Sequence, residues 1–103
     1  MKNAPSHIDL SAMQAALKDH RRSLGKETEP HHYANEVRLI NFAVTGNSRG
    51  CYRNLPITPE LTRAIRRVVC QNIKLIKLHV PHPDRKKSCR DLFQRATSVV
   101  PQT

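Results

Sequence analysis

A cluster of basic side chains between Arg63 and Arg90 has the clearest chemistry in this sequence. Nine lysines and arginines fall within 28 residues, and Asp84 is the only acid among them. Arginine grips phosphate or carboxylate oxygens through a bidentate fork, and lysine adds a point charge. The cluster therefore predicts a binding surface for an anionic partner, made of Arg63, Arg66, Arg67, Lys74, Lys77, Arg85, Lys86, Lys87 and Arg90.

The net charge of +10 is unevenly distributed along the 103 residues. Residues 1–36 contain five basic and five acidic side chains, so the whole excess lies in residues 37–103. Such asymmetry favours a polyanion or an acidic protein as the partner of the C-terminal two-thirds. The alternative is a solvated cationic surface that binds nothing.

Histidines and cysteines are the next candidates, as metal ligands. The candidates are His31 and His32 in the predicted linker, His79 and His82, which lie three residues apart in LHVPHP, and Cys51, Cys70 and Cys89, each 19 positions from the next. No cysteine pair has the C-x2–4-C spacing of structural zinc sites, so we predict no metal. The odd cysteine count and the absence of a secretory signal predict reduced thiols in a reducing compartment.

Catalytic residues are sparse. The basic region holds three acids, Glu60, Asp84 and Asp91, and the first two suit helix starts. No phosphate-binding glycine loop, nucleophile elbow or Cys–His signature is present. A histidine-based ribonuclease using His79 and His82 is a weaker alternative. We predict a non-enzymatic protein with no cofactor.

The first element predicted to position these groups is a helix over residues 9–24, between a flexible tail (1–8) and a polar linker (26–35). Asp9 is the predicted cap, and Gly25 can adopt the left-handed conformation that ends a helix. The apolar seam is narrow, which suits a single neighbouring helix or a homodimer through this arm; it consists of Leu10, Met13, Leu17 and Leu24.

The remaining chain, residues 36–100, is predicted to form a basic α+β module, followed by a short tail (101–103). Residues 36–45 and 73–80 are rich in β-branched and apolar types and are predicted as strands, and residues 51–55 are predicted as either a weak strand or a loop. A central helix is predicted from Thr58 to Gln71 and another from Arg85 to Val99, capped by Asp84. The expected fold is a two- or three-stranded sheet packed by helices.

Together these features predict a small cytoplasmic protein that binds nucleic acid through the phosphate backbone. A helix-turn-helix is disfavoured because a strand is predicted after the central helix, and an aromatic RNA-binding platform is missing. About six phosphate contacts would give a log–log salt slope of about −5. The alternative is a regulatory factor of bacterial, phage or plasmid type that docks on an acidic or nucleic-acid-binding protein surface. No apolar run is long enough for a membrane span.

Overall fold

The computed structural model describes residues 8–47, 49–56 and 58–97, and throughout these residues the fold is helical. Its elements are α1 (Ser11–Ser23), α2 (Pro30–Thr45), a short 3-10 helix (Tyr52–Asn54), α3 (Pro59–Lys77) and α4 (His82–Thr97). The predicted α+β fold is therefore wrong, because the described residues contain no strand. Of the predicted tails (1–8 and 101–103), residues 1–7 and 101–103 lie outside the described part of the chain, as does Val99, the predicted end of the last helix. Ile8, assigned to the N-terminal tail, is instead buried in the core.

The four helices alternate in direction, as in an up-down-up-down bundle. α1 packs mainly on α3, α2 packs mainly on α4, and α3 and α4 pack on each other. Three sets of contacts give the relative directions of the helices. The contacts Met13–Asn72 and His20–His79 show that α1 is parallel to α3. The contacts Asn72–Arg85 and Val68–Cys89 show that α3 is antiparallel to α4, and the contacts Glu36–Arg85 and Ala43–Arg90 show that α2 is parallel to α4.

The central helix begins as the sequence predicts. The Thr58 hydroxyl accepts a hydrogen bond from the Leu61 amide at 3.0 Å, and Pro59 occupies the first helical position, where an N–H is not needed. The apolar face that follows is buried at helical spacing, in Ala64, Ile65, Val68 and Val69.

The strand predicted over residues 36–45 is helical instead. Its buried residues are Glu36, Leu39, Ile40, Ala43 and Val44, which recur at the period of a helix. Burial of this face against α4 outweighs the modest β-preference of its branched side chains. Since α2 already begins at Pro30, most of the predicted linker is also helical.

The strand predicted over residues 73–80 is likewise wrong, because α3 continues through Lys77. Asn72, which follows the predicted end of the central helix at Gln71, lies inside α3 with no exposed surface. The helix ends one turn later, where the His79 amide bonds the Ile76 carbonyl and the Val80 amide bonds the Leu75 carbonyl. The weak strand predicted at 51–55 contains the 3-10 helix.

The first and last helices lie close to their predicted positions. Met13 and Leu17 of the α1 seam are buried within the chain, Gly25 has φ of +73°, and Leu24 is about half exposed. α4 starts three residues before the predicted Arg85, so Asp84 lies in its first turn rather than at its cap.

None of the helices in the described part of the chain has the length and apolar character needed to cross a membrane.

Candidate nucleic-acid interface

Five of the nine predicted binding residues share one face of α3. Arg63, Arg66, Arg67, Lys74 and Lys77 are all exposed. At about 100° per residue, the helix brings all five side chains into an arc of about 100°. The buried side chains of α3 lie on the opposite side, around Ile65, Val68 and Asn72. We call the five cationic residues the α3 face.

The α3 face is long, narrow and free of negative charge. At about 1.5 Å per residue, Arg63 and Lys77 are about 21 Å apart along the axis. No acidic residue occurs in α3 after Glu60, which lies in the first turn. Cys70 is exposed near the middle of the face and carries a free thiol.

A shallow groove of about 370 Å³ runs between the α3 face and α4. Its cationic lining comes from Arg66, Arg67 and Lys74, and its apolar side comes from Leu92 of α4. The groove places two guanidinium groups and one ammonium beside each other, which is an arrangement suited to several adjacent anionic oxygens.

Arg85 has a different role, because it is buried at the centre of the bundle. Its guanidinium forms an ion pair with Glu36, donates to the Asn72 side-chain oxygen at 3.1 Å and donates to the Val80 carbonyl at 2.9 Å. The Asn72 amide in turn donates to Glu36 at 2.9 Å and to the Met13 sulfur at 3.3 Å. Each of the four helices thus supplies one side chain to this network, and Arg85 has no surface left for an external partner.

The other three predicted residues of α4 are also engaged within the fold. The Lys86 ammonium lies 4.5 Å from the centre of the Phe42 ring. Lys87 pairs with Asp91 at 3.1 Å on the surface, an interaction of little energetic weight. Arg90 donates to the Ala43 carbonyl at 3.0 Å, which neutralises the negative end of α2.

A helix rather than a strand follows the central helix, so the predicted strand no longer argues against a helix-turn-helix. α3 and α4 are joined by the four residues 78–81, which is the connection length of that motif. However, the first turn of α4 would have to reach into the groove of DNA, and there Arg85 is buried and Lys86 covers Phe42. Among the nine predicted residues, all the exposed cations except Lys87 belong to the preceding helix.

Comparisons of this chain with protein-family models, curated proteins and solved structures give no match.

The structure also gathers histidines that are distant in sequence. His79 and His82 line one cavity together with His20 and His32. Among the described residues, no three histidine, cysteine or acidic side chains are grouped as metal ligands would be. Sequence reasoning considered His32 beside the pair but missed His20, because its proximity depends on α1 packing beside the end of α3.

Burial and charge alter three titratable groups. Desolvation lowers the pKa of His20, and the nearby His79, Arg85, Arg21 and Lys26 lower it further. Desolvation and Arg21 lower the pKa of His32. Burial raises the pKa of the Cys89 thiol to about 12, so this cysteine is a small apolar core residue at neutral pH.

Proposed function

We propose that this protein is a non-enzymatic nucleic-acid-binding protein whose α3 face contacts the phosphate backbone of a duplex. The observation that carries the proposal is the segregation of α3 into a buried face and an opposite face with five exposed cations and no acid. Five neighbouring cations without acidic partners repel one another, which is energetically unfavourable, and a row of phosphates reduces this repulsion.

The composition of the face favours backbone binding over base recognition. It has no aromatic side chain on which an unpaired base could stack. Its arginines and lysines suit phosphate oxygens, which fix position without reading sequence. Cys51, Cys70 and Cys89 are free thiols, which suits a reducing compartment such as the cytoplasm.

The dependence of affinity on salt tests this proposal directly. If all five cations of the α3 face meet phosphates of B-DNA, the slope of log K against log salt should approach about −4.5. A fluorescence-anisotropy titration of a labelled duplex at several salt concentrations gives the slope. A slope near zero would refute backbone binding and direct attention to an acidic protein surface.

A pair of charge-reversal variants locates the interface. Arg66→Glu with Arg67→Glu should abolish most duplex binding, because attraction becomes repulsion within the groove. The matched control, Arg38→Glu with Arg53→Glu, makes the same change in net charge at exposed arginines outside α3. Equal losses in the two variants would show that only the overall charge matters, and the α3 face would not be the site.

Cys70 offers a readout that needs no mutation. Its exposed thiol lies among the five cations, so bound duplex should slow its alkylation by an uncharged reagent. Cys51, which is half-buried near the 3-10 helix, serves as the internal control. Quantitative mass spectrometry of both cysteines, with and without duplex, measures the protection. Unchanged alkylation of Cys70 at saturating duplex would place binding elsewhere.

A further inference from the structure

A second cationic feature lies at the end of the bundle where α1 and α3 finish. It is a cavity of about 340 Å³, within the size range of small-ligand pockets. Besides the buried Arg85, which is paired with Glu36, six of its lining side chains carry or can carry a positive charge: His20, Arg21, Lys26, His32, His79 and His82. They come from α1, the loop after it, α2, the connection between α3 and α4, and the first position of α4.

The cavity has no available negative charge among its described lining residues. Glu36 is the one acid in the lining, and both of its carboxylate oxygens are occupied, by Asn72 and by Arg85. Arg21 uses its Nε to donate to the Glu27 carbonyl at 3.0 Å, which orients the guanidinium and leaves its terminal amino groups for a ligand. Lys26 is exposed at the rim.

His32 and His79 are held in specific states by the backbone. The His32 Nδ1 accepts a hydrogen bond from the Glu29 amide at 2.9 Å, so the ring proton of the neutral imidazole lies on Nε2, where it can be donated. His79 has φ of +62°, the left-handed conformation at a helix end where glycine is usual. Its ring stands edge-on to His20, with ring centres 4.6 Å apart.

The histidine at position 79 is poorly explained by helix termination alone. Gly25 occupies the equivalent left-handed position at the end of α1, so the chain uses glycine where only a turn is needed. A side chain kept in a sparsely populated conformation beside a cavity is typical of a functional position. Here it brings a second imidazole against His20.

We infer that this cavity is a binding site for a small oxyanion of the phosphate class, free or as a phosphomonoester, held by Arg21, Lys26 and the surrounding histidines. The guanidinium supplies the bidentate fork that tetrahedral oxyanions prefer, and the ammonium and imidazole groups supply further donors. This cavity shares no lining residue with the α3 face, although Lys77 of that face lies beside His20 and His79 in a neighbouring cavity.

Anion binding in this cavity should depend on pH. Asp19 of α1 and Lys77 of α3 line a neighbouring cavity together with His20 and His79. The positive groups that act on His20 are His79 and Arg85 from the α3–α4 side and Arg21 and Lys26 from its own side, and they disfavour the imidazolium. A bound anion reverses this effect, so binding and protonation of His20 should reinforce each other. Affinity should therefore rise as the pH falls.

The test is an NMR titration of the histidine ring signals of the full chain with inorganic phosphate, at ionic strength held constant with chloride. Saturable shifts at His20 and His79 are expected. Arg21→Gln or Lys26→Gln should weaken binding about tenfold or more, as expected for a charge-assisted hydrogen bond. Sulfate, whose charge does not change over this range, should bind more tightly at about pH 5.5 than at about pH 7.5.

Two controls make the outcome decisive. Arg22→Gln removes the same charge at an exposed neighbour outside the cavity, and it should leave phosphate binding unchanged. The Arg66→Glu, Arg67→Glu variant should also retain phosphate binding, which separates this site from the α3 face. Shifts that grow linearly with phosphate, or equal losses in the Arg21 and Arg22 variants, would overturn the inference. Thermal melts of every variant identify any loss caused by unfolding.

Discussion

Replacing Arg85 with methionine should be among the most damaging single changes in this protein. The Arg85 and Glu36 side chains are only 6% and 4% exposed, so the substitution leaves a buried carboxylate without its counter-charge. It also leaves the Asn72 side-chain oxygen and the Val80 carbonyl without the donor they now have. Breaking a buried pair from one side costs about 3–5 kcal/mol.

A loss of that size is measurable by thermal unfolding. For a domain of this length, each kcal/mol lowers Tm by about 4–8 °C, so Arg85→Met should melt roughly 12–40 °C below the wild type. Circular dichroism at the helix signal, with a urea titration for the free energy of unfolding, gives both quantities. Since a typical domain has about 5–15 kcal/mol in total, the variant should be partly unfolded near 37 °C.

A triple variant tests the stated cause. Glu36→Leu with Asn72→Leu and Arg85→Met removes every strong polar member of the network and keeps the volume similar. Replacing a buried ionic cluster by apolar residues is often neutral or stabilising, so the triple variant should be more stable than Arg85→Met alone. If it is equally or less stable, the cost comes from lost packing or lost hydrogen bonds, and the buried carboxylate is not the reason.

Four further outcomes are expected. Val68→Asp places a charge at a fully buried position and should cost about 3–5 kcal/mol in a urea titration. Cys70 should react with a thiol reagent in the folded protein while Cys89 reacts only after unfolding, as timed mass spectrometry would reveal. His79→Gly should keep or raise Tm, because glycine adopts the left-handed conformation without strain, and a lower Tm would show that the His20 contact stabilises the fold. Because the pKa of His20 is lowered in the folded state, the unfolded chain binds more protons; stability should therefore fall as pH drops through the ordinary value of 6.5, and melts of His20→Gln should show a smaller decrease.

The sequence was sufficient for the features that depend on local spacing. The cap at Thr58, the apolar face of the central helix and the helical end at Gly25 all follow from residues close together in the chain. The exposed cations of α3 follow for the same reason, since a helical period that buries Val68 and Ile65 must turn Arg66 and Arg67 outward.

The strand predictions for residues 36–45 and 73–80 failed because residue types that favour strands were given more weight than the spacing of the apolar residues. Residues 36–45 contain several β-branched side chains, but Leu39, Ile40, Ala43 and Val44 repeat at helical spacing, and that spacing matches the structure. In the second case the apolar face of α3 continues from Val69 to Ile76, with the polar Asn72 between them.

Asn72 shows where sequence reasoning reaches a limit. An asparagine between apolar residues normally favours a helix end, because its amide competes with the backbone. It is accommodated inside α3 because Glu36 and Arg85, 36 residues before it and 13 after it, satisfy its side chain. The same long-range packing brings His20 beside His79, so the histidine cavity has no signature in any local segment.

The shared network in the core also determines how the bundle opens. Glu36 lies on α2, Asn72 on α3 and Arg85 on α4, and the Asn72 side-chain amide also contacts Met13 of α1. Detaching α2, α3 or α4 alone would therefore leave a charge or an amide unpaired in the apolar interior. Partial opening is accordingly penalised relative to complete unfolding, and amide hydrogens near these residues should exchange with solvent through one cooperative event. The bundle should therefore unfold as a single unit that carries both the α3 face and the histidine cavity.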